Sequence, residues 1–129
     1  MYSEIVPFDT PMSEIVRRRP VGIILSGGPK SVSEAGAPKC ETAVFDAGVP
    51  ILGICYGMQL MTGALRGGDA PSPHREYGMA NIRIRPNAPL FASVPEELRV
   101  WASHGDFVAA AAAGFAITTS STNAPVAAM

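Results

Sequence analysis

A single thiol stands at the junction between an apolar run and a helical pattern, and this junction constrains the fold more than any other feature. Residues 49–52 are typical of a buried strand, and residues 58–66 have apolar side chains at helical spacing. The pentapeptide Gly-Ile-Cys-Tyr-Gly at residues 53–57 lies between them, with Cys55 at its centre and glycines that permit a sharp turn. The sequence therefore predicts a strand–turn–helix unit with a sulfur nucleophile at the turn.

The same pentapeptide has a plainer interpretation, because a buried cysteine often serves only as a small apolar side chain. The flanking patterns favour the nucleophile, since the start of a helix stabilises an anionic sulfur. The second cysteine, Cys40, lies in a helix predicted over residues 39–47 and is expected to be inert. Two cysteines do not make a disulfide framework, so a reducing, cytoplasmic location is expected.

Length and composition exclude several classes of protein. The 129 residues suit one domain over residues 1–129, and 47% hydrophobic with 16% charged content excludes disorder. A net charge of −1 gives no sign of nucleic-acid binding, and no apolar run is long enough to span a bilayer. No Cys/His cluster has zinc-ligand spacing, so no metal site is predicted.

Strand and helix patterns alternate in the first half of the chain, which predicts a parallel α/β sheet. The expected strands cover residues 2–6, 21–25 and 49–54, and the expected helices cover residues 11–18 and 39–47 and follow Cys55. Alternating segments in the second half predict an antiparallel extension at residues 80–85, 98–102, 115–119 and 126–128. Trp101 could pack in the core or at a domain interface, and the core is favoured.

Ser-Gly-Gly-Pro at residues 26–29 follows the predicted strand 21–25, and Cys55 follows the next predicted strand. Ligands bind at the carboxyl ends of strands in open α/β sheets, so the two segments are expected to converge. The glycines at 27 and 28 can turn a backbone N–H toward a substrate, and Tyr56 supplies a second N–H. Together these donors would form an oxyanion hole. The alternative is that residues 26–29 are only a turn.

Four segments occur in the order found in one enzyme family: residues 26–29, 53–59, 75–78 (Arg-Glu-Tyr-Gly) and 103–106 (Ser-His-Gly-Asp). Together they resemble the class I, triad-type glutamine amidotransferases over essentially the whole chain. The last two segments and the opening residues 2–9 are similar to the GMP synthetase branch of that family. The resemblance implies a flavodoxin-like α/β fold with a mostly parallel sheet, an antiparallel extension and incomplete ends.

The resemblance implies a role for each site residue. Cys55 would attack the side-chain carboxamide of glutamine, and the backbone amides of Gly28 and Tyr56 would hold the oxyanion. A γ-glutamyl thioester would form and ammonia would leave. Gln59 lies one helical turn after Cys55 and would bind the amino-acid head of the substrate. The remaining implied substrate-binding residues are Gly57 and the Ser-His-Gly-Asp turn, Ser103, His104, Gly105 and Asp106.

The resemblance also implies partners. Ammonia would pass to an ATP-dependent synthetase, fused as a domain or separate, that aminates XMP to GMP. ATP and Mg²⁺ are expected only in that synthetase, with no cofactor in this domain. Other possibilities stay open: another hydrolase with a cysteine elbow, such as a γ-glutamyl hydrolase, a small protease or a deglycase-like protein, or a binding module without catalysis.

The chain departs from the family pattern at both ends. The pattern includes a Gln-Phe-His-Pro-Glu-like segment that supplies the triad His and Glu, and neither His74 nor His104 is expected to replace that base. The chain also starts just ahead of the family's second strand, which would leave residues 2–6 without their neighbour. We therefore expect either an internal piece of the domain or a truncated gene product, which is alkylated at Cys55 but hydrolyses glutamine slowly.

Overall fold

The computed structural model describes residues 2–86 and 88–129, except for the side chains of residues 69–75. The chain divides into two compact units, Met1–Met61 and Thr62–Met129. The expectation of one amidotransferase domain over residues 1–129 stays a prediction beside this division. No helix within the described ranges combines the length and the apolar character that a membrane span requires.

The first unit contains a short parallel sheet. Its elements are helix α1 (Met12–Arg17), strand β1 (Ile23–Leu25), a 3-10 helix (Thr42–Asp46), strand β2 (Ile51–Gly53) and the start of helix α2 (Tyr56–Ala64). Strands β1 and β2 pair in parallel, with Ile23 opposite Ile51 and Leu25 opposite Gly53. The carboxyl ends of both strands therefore lie at the same edge, as the sequence predicted.

One element predicted in this unit is wrong, and the others that have predicted bounds are shorter than predicted. Residues 2–6 form no strand, and the side chain of Ile5 is 99% exposed. A strand is stable only with a hydrogen-bonded neighbour, and no described residue pairs with this segment. The helix predicted over residues 39–47 is reduced to the 3-10 helix, which has a single buried side chain, Val44, to hold it in place.

The second unit is built on an antiparallel sheet of strand order β4-β3-β5. Strand β3 covers Gly68–Ile84, β4 covers Glu97–Ala110 and β5 covers Thr119–Ser121, with a 3-10 helix at Pro89–Phe91. The predicted antiparallel strands in the second half are therefore confirmed as a sheet, although the first two strands are much longer than predicted. The predicted strand at 115–119 reaches only Thr119, and residues 126–128 contribute two isolated bridges, Val126 to Val108 and Ala128 to Thr119.

Trp101 is not in the core, contrary to the expectation. Its side chain is 73% exposed, and it lies opposite Met79 in the β3–β4 ladder. Side chains alternate between the two faces of a strand, and the inner face of this pair is occupied by residues such as Ala80 and Ile84. Trp101 has the opposite parity to the inward residues of β4, so it shares the outer face with Met79.

Candidate functional site

Cys55 occupies a left-handed backbone conformation between β2 and α2, with φ of 51°. That conformation costs an L-residue roughly 1–2 kcal/mol, because Cβ crowds the following carbonyl. The carbonyl of Cys55 accepts the backbone N–H of Gln59 at 3.0 Å, so the residue also begins the helical hydrogen bonding. The expected strand–turn–helix unit is present, and its thiol sits on the strained residue of the turn.

Two glycines let the elbow pack closely against the sheet. A Cβ on Gly57 would lie 2.0 Å from the carbonyl oxygen of Leu25, and a Cβ on Gly53 would lie 2.8 Å from the carbonyl of Gly57. Both distances are impossible for real side chains, so both positions require glycine for packing alone. The structure thus explains Gly57 without a substrate, and its predicted role in substrate binding stays a prediction.

The loop at residues 26–29 lies directly against the elbow. A Cβ on Gly27 would be 3.4 Å from the Cβ of Cys55, and one on Gly28 would be 3.6 Å from Cγ of Tyr56. The loop is fixed there because Ile54 donates its N–H to the carbonyl of Leu25 at 2.9 Å, at the end of β1. The two segments expected to converge after β1 and β2 are therefore neighbours.

The backbone around the thiol can offer hydrogen-bond donors to an anion. Tyr56 is the first residue of α2, and the first N–H groups of a helix have no acceptor within the helix. The next N–H, of Gly57, is bonded to the carbonyl of Ile54 at 3.0 Å. This geometry is compatible with the predicted oxyanion hole of Gly28 and Tyr56, and that role stays a prediction.

The side chain of Tyr56 ties the elbow to the segment before the 3-10 helix. It is buried, and its hydroxyl donates to the carbonyl of Pro38 at 2.6 Å. Burial raises the pKa of Tyr56, and electrostatic interaction with Glu34 and Cys40 adds to the effect. The phenol therefore keeps its proton and remains a donor.

Replacing Tyr56 by phenylalanine is expected to lower the free energy of unfolding by about 1 kcal/mol, because the carbonyl of Pro38 loses this donor. Urea unfolding monitored by circular dichroism measures the change. The matched control is Tyr2→Phe, whose phenol is exposed and should have no effect. Equal midpoints for the two variants would show that the Tyr56–Pro38 hydrogen bond contributes nothing.

A pocket of about 270 Å³ lies beside the loop at residues 26–29. Its lining includes residues 26–30, Cys40, Val44, Tyr56 and Leu60, and Cys55 is not among the lining residues. Burial raises the pKa of the Cys40 thiol, which keeps it protonated and weakens it as a nucleophile. This supports the expectation that Cys40 is inert.

The remaining predicted site residues lie elsewhere in the chain. Gln59 is only 5% exposed in α2, so its amide lies among protein groups, and its substrate role is untested. The predicted Ser-His-Gly-Asp turn at residues 103–106 is wrong as a turn, because these residues lie inside strand β4. The ladder pairs His104 with Glu76 and Asp106 with Pro71, so residues 72–75 bulge opposite Gly105.

The cluster around Glu76 is a feature that the sequence analysis does not predict. His104 Nε2 lies 3.0 Å from Glu76 Oε2, and the buried carboxylate also accepts from Ser121 and Asn123. Neither the Arg-Glu-Tyr-Gly motif nor the Ser-His-Gly-Asp motif alone signals this cluster, because it depends on the register of β3 against β4. The side chain of His74 lies outside the described residues. No group of three His, Cys, Asp or Glu side chains in the described part of the chain could hold a metal ion.

Comparison with known proteins identifies the family. The model of the class-I glutamine amidotransferase family matches residues 1–129. The chain is 52% identical to GMP synthase [glutamine-hydrolyzing] of a Parafrankia species over 128 residues and 50% identical to that of Streptomyces coelicolor over 129. Each alignment covers 99% of this chain but 24% of the relative, so the chain spans about a quarter of the length of these proteins.

Solved structures show the same fold. A protein from Thermoplasma acidophilum, named as one of the subunits of a GMP synthase, matches with a TM-score of 0.82 and 27% identity, over 95% of this chain and 62% of that one. A glutamine amidotransferase from Thermotoga maritima matches with a TM-score of 0.73 over 89% of this chain and 62% of that one; at 21% identity it supports the fold alone. With a family match over the whole sequence and relatives about half identical, the chain belongs to the class-I glutamine amidotransferase family.

Proposed function

We propose that this chain is part of the glutamine-hydrolysing region of a GMP synthase and that Cys55 is its nucleophile. The observation that carries the proposal is the left-handed elbow at Cys55, held against the glycine loop at residues 26–29. A strained residue persists only where its surroundings enforce it, and such residues cluster at active sites. The relatives named GMP synthase [glutamine-hydrolyzing] support glutamine as the substrate.

The proposed reaction is acyl transfer to sulfur. The thiolate of Cys55 attacks the side-chain carbonyl carbon of glutamine. The carbonyl oxygen becomes an oxyanion, which accepts hydrogen bonds from the backbone N–H groups of Gly28 and Tyr56. The tetrahedral intermediate collapses once its nitrogen has gained a proton, which expels ammonia and leaves a γ-glutamyl thioester. Water then attacks the thioester, releases glutamate and restores the thiol. Gln59, Ser103 and the residues from His104 to Asp106 keep their predicted roles in substrate binding.

Ammonia departure is the demanding step, because an amide nitrogen leaves only after protonation. General acid–base catalysis by a positioned side chain contributes roughly 10²–10⁴-fold. The imidazole of His104 is hydrogen-bonded through Nε2 to Glu76, so that nitrogen is already engaged. We therefore propose that this chain reacts with electrophiles at Cys55 and turns glutamine over slowly.

The ammonia would be used by an ATP-dependent synthetase that aminates XMP to GMP. The GMP synthase relatives are about four times as long as this chain, which leaves room in them for such a domain. The Thermoplasma acidophilum protein is named as a GMP synthase subunit, which supports a synthetase on a second chain as the alternative to a fused domain. ATP and Mg²⁺ would bind to the synthetase, whether fused or separate, and not to this chain.

Iodoacetamide is expected to label Cys55 faster than Cys40, while ammonia release from glutamine runs roughly 10²–10⁴-fold below that of a full-length relative such as the Streptomyces coelicolor enzyme. Mass spectrometry locates the label, and a coupled assay measures ammonia. Cys55→Ala should abolish the fast labelling and the residual turnover. Cys40→Ala is the matched control and should change neither.

Two results would contradict the proposal in different ways. Rapid ammonia release that depends on Cys55 would mean that a proton donor operates within this chain and that the limiting step is misassigned. Equal, slow labelling of both cysteines would mean that the elbow does not activate its thiol, and a binding module without catalysis would then be the better interpretation.

A further inference from the structure

The carboxylate of Glu76 joins three separate segments of the second unit. His104 on β4 lies 3.0 Å from Oε2, the Ser121 hydroxyl donates to Oε2 at 3.4 Å, and the Asn123 side-chain amide donates to Oε1 at 3.3 Å. Glu76 is only 9% exposed. Burying a carboxylate costs free energy unless the group is paired and hydrogen-bonded, so the loss of these donors would destabilise the unit.

The cluster lies where the regular ladder stops. Glu76 pairs with His104 and Pro71 pairs with Asp106, so the segment 72–75 of β3 faces Gly105 alone. Gly105 has no partner in the ladder, so regular ladder bonds do not fix its backbone across the bulge. The side-chain bond from His104 to Glu76 adds a fixed point at the edge of the irregular stretch.

His104 depends on this one carboxylate. Facing a carboxylate oxygen at 3.0 Å, Nε2 carries the hydrogen and donates it. The other ring nitrogen, Nδ1, is buried and has no hydrogen-bond partner among the described residues. Without Glu76 the imidazole would lose the bond that sets the orientation of its ring.

Few described atoms lie near Gly105 on the side where a Cβ would be. With the side chains of residues 69–75 excepted, the nearest described atom to such a Cβ is the hydroxyl oxygen of Tyr77, at 3.6 Å, which is an ordinary contact. The φ of Gly105 lies outside the left-handed range, so backbone strain does not require glycine here, and no described side chain requires it through packing. A glycine that the fold does not require is available for close approach of a ligand to the backbone.

We propose that Glu76 is a positioning residue for glutamine. Acting through His104, it holds the backbone of Gly105 and Asp106 in the conformation that binds the substrate. This inference rests on the proposed function, which keeps Gly105 and Asp106 among the substrate-binding residues. Glu76 itself does not touch the substrate.

Titration of the ¹⁵N-labelled chain with L-glutamine, followed at the amide resonances of Gly105 and Asp106, tests the inference. Glu76→Ala should raise the half-saturating glutamine concentration about tenfold or more, because a hydrogen bond to a charged group is lost. Glu76→Gln keeps one acceptor oxygen and should rescue part of the affinity. The control is Glu97→Gln, an exposed residue of the same sheet paired with Arg83, and it should leave binding unchanged.

A double variant separates positioning from general loss of fold. If Glu76 acts through His104, then Glu76→Gln combined with His104→Gln should weaken binding no more than the stronger single change. Thermal melting of each variant shows whether the fold is kept. Additive effects on binding would overturn the positioning role, as would unchanged half-saturation in folded Glu76→Gln and Glu76→Ala proteins.

The failure of this inference can be told apart from the failure of the proposed function. Fast labelling of Cys55 with no glutamine-dependent shift at Gly105 or Asp106 would overturn the positioning role and leave the nucleophile in place. Absence of both signals would overturn the two together. Saturable shifts that weaken in the Glu76 variants and persist in Glu97→Gln support the inference.

Discussion

Replacing Gly57 by alanine is expected to destabilise the first unit by about 3 kcal/mol or more, enough to unfold a marginal protein. The new Cβ would lie 2.0 Å from the carbonyl oxygen and 2.6 Å from the carbonyl carbon of Leu25. These are backbone atoms of β1, so relief requires moving the helix away from the sheet. Alanine normally stabilises a helix interior by about 1 kcal/mol over glycine, so helix propensity alone predicts the opposite sign.

Urea unfolding monitored by circular dichroism measures the effect of Gly57→Ala. The matched control is Gly63→Ala, an exposed position near the end of the same helix, where alanine should stabilise by roughly 0.5–1 kcal/mol. A Gly57→Ala protein as stable as the parent would mean that α2 does not approach β1 as closely as the structure shows. Packing would then not explain why residue 57 is glycine, and its predicted contact with the substrate would be the better explanation.

The elbow is predictable because its signals are local. The apolar run, the glycines at 53 and 57 and the helical spacing after Cys55 lie within about fifteen residues, and each has a direct steric or periodic cause. The contact between the 26–29 loop and the elbow follows from a topological rule, because parallel strands bring their carboxyl ends to one edge of the sheet. Neither inference needs a knowledge of side-chain packing.

Features that depend on pairing between distant residues escape prediction from the sequence. Residues 2–6 have the composition of a strand, yet they form none. A strand needs a neighbouring strand to pair with, and the composition of the segment does not provide one. The size of Trp101 favours a core position, but the register of β3 against β4 decides which face is buried. The Glu76 cluster needs that register and a bulge at the same time, and neither is encoded in a short segment.

Replacing Cys55 by glycine is expected to abolish labelling and ammonia release while making the protein more stable. The left-handed backbone, with φ of 51°, costs a residue with Cβ roughly 1–2 kcal/mol. Glycine removes that cost but loses roughly 0.5–1 kcal/mol through its greater freedom in the unfolded chain. The difference favours glycine by about 0.5–1 kcal/mol, so the wild-type thiol is kept at a cost in stability.

Cys55→Ala separates the two contributions, because alanine also removes the sulfur but keeps Cβ in the same strained conformation. Unfolding free energies should therefore place glycine above alanine at position 55, with both variants inactive. Ser93, which has φ of 67°, provides a matched comparison in an irregular segment outside the proposed site, and Ser93→Gly should stabilise to a similar extent. If glycine were no more stable than alanine at position 55, the backbone there would not be strained. Because strained residues cluster at active sites, that result would remove the main physical reason for assigning the chemistry to Cys55.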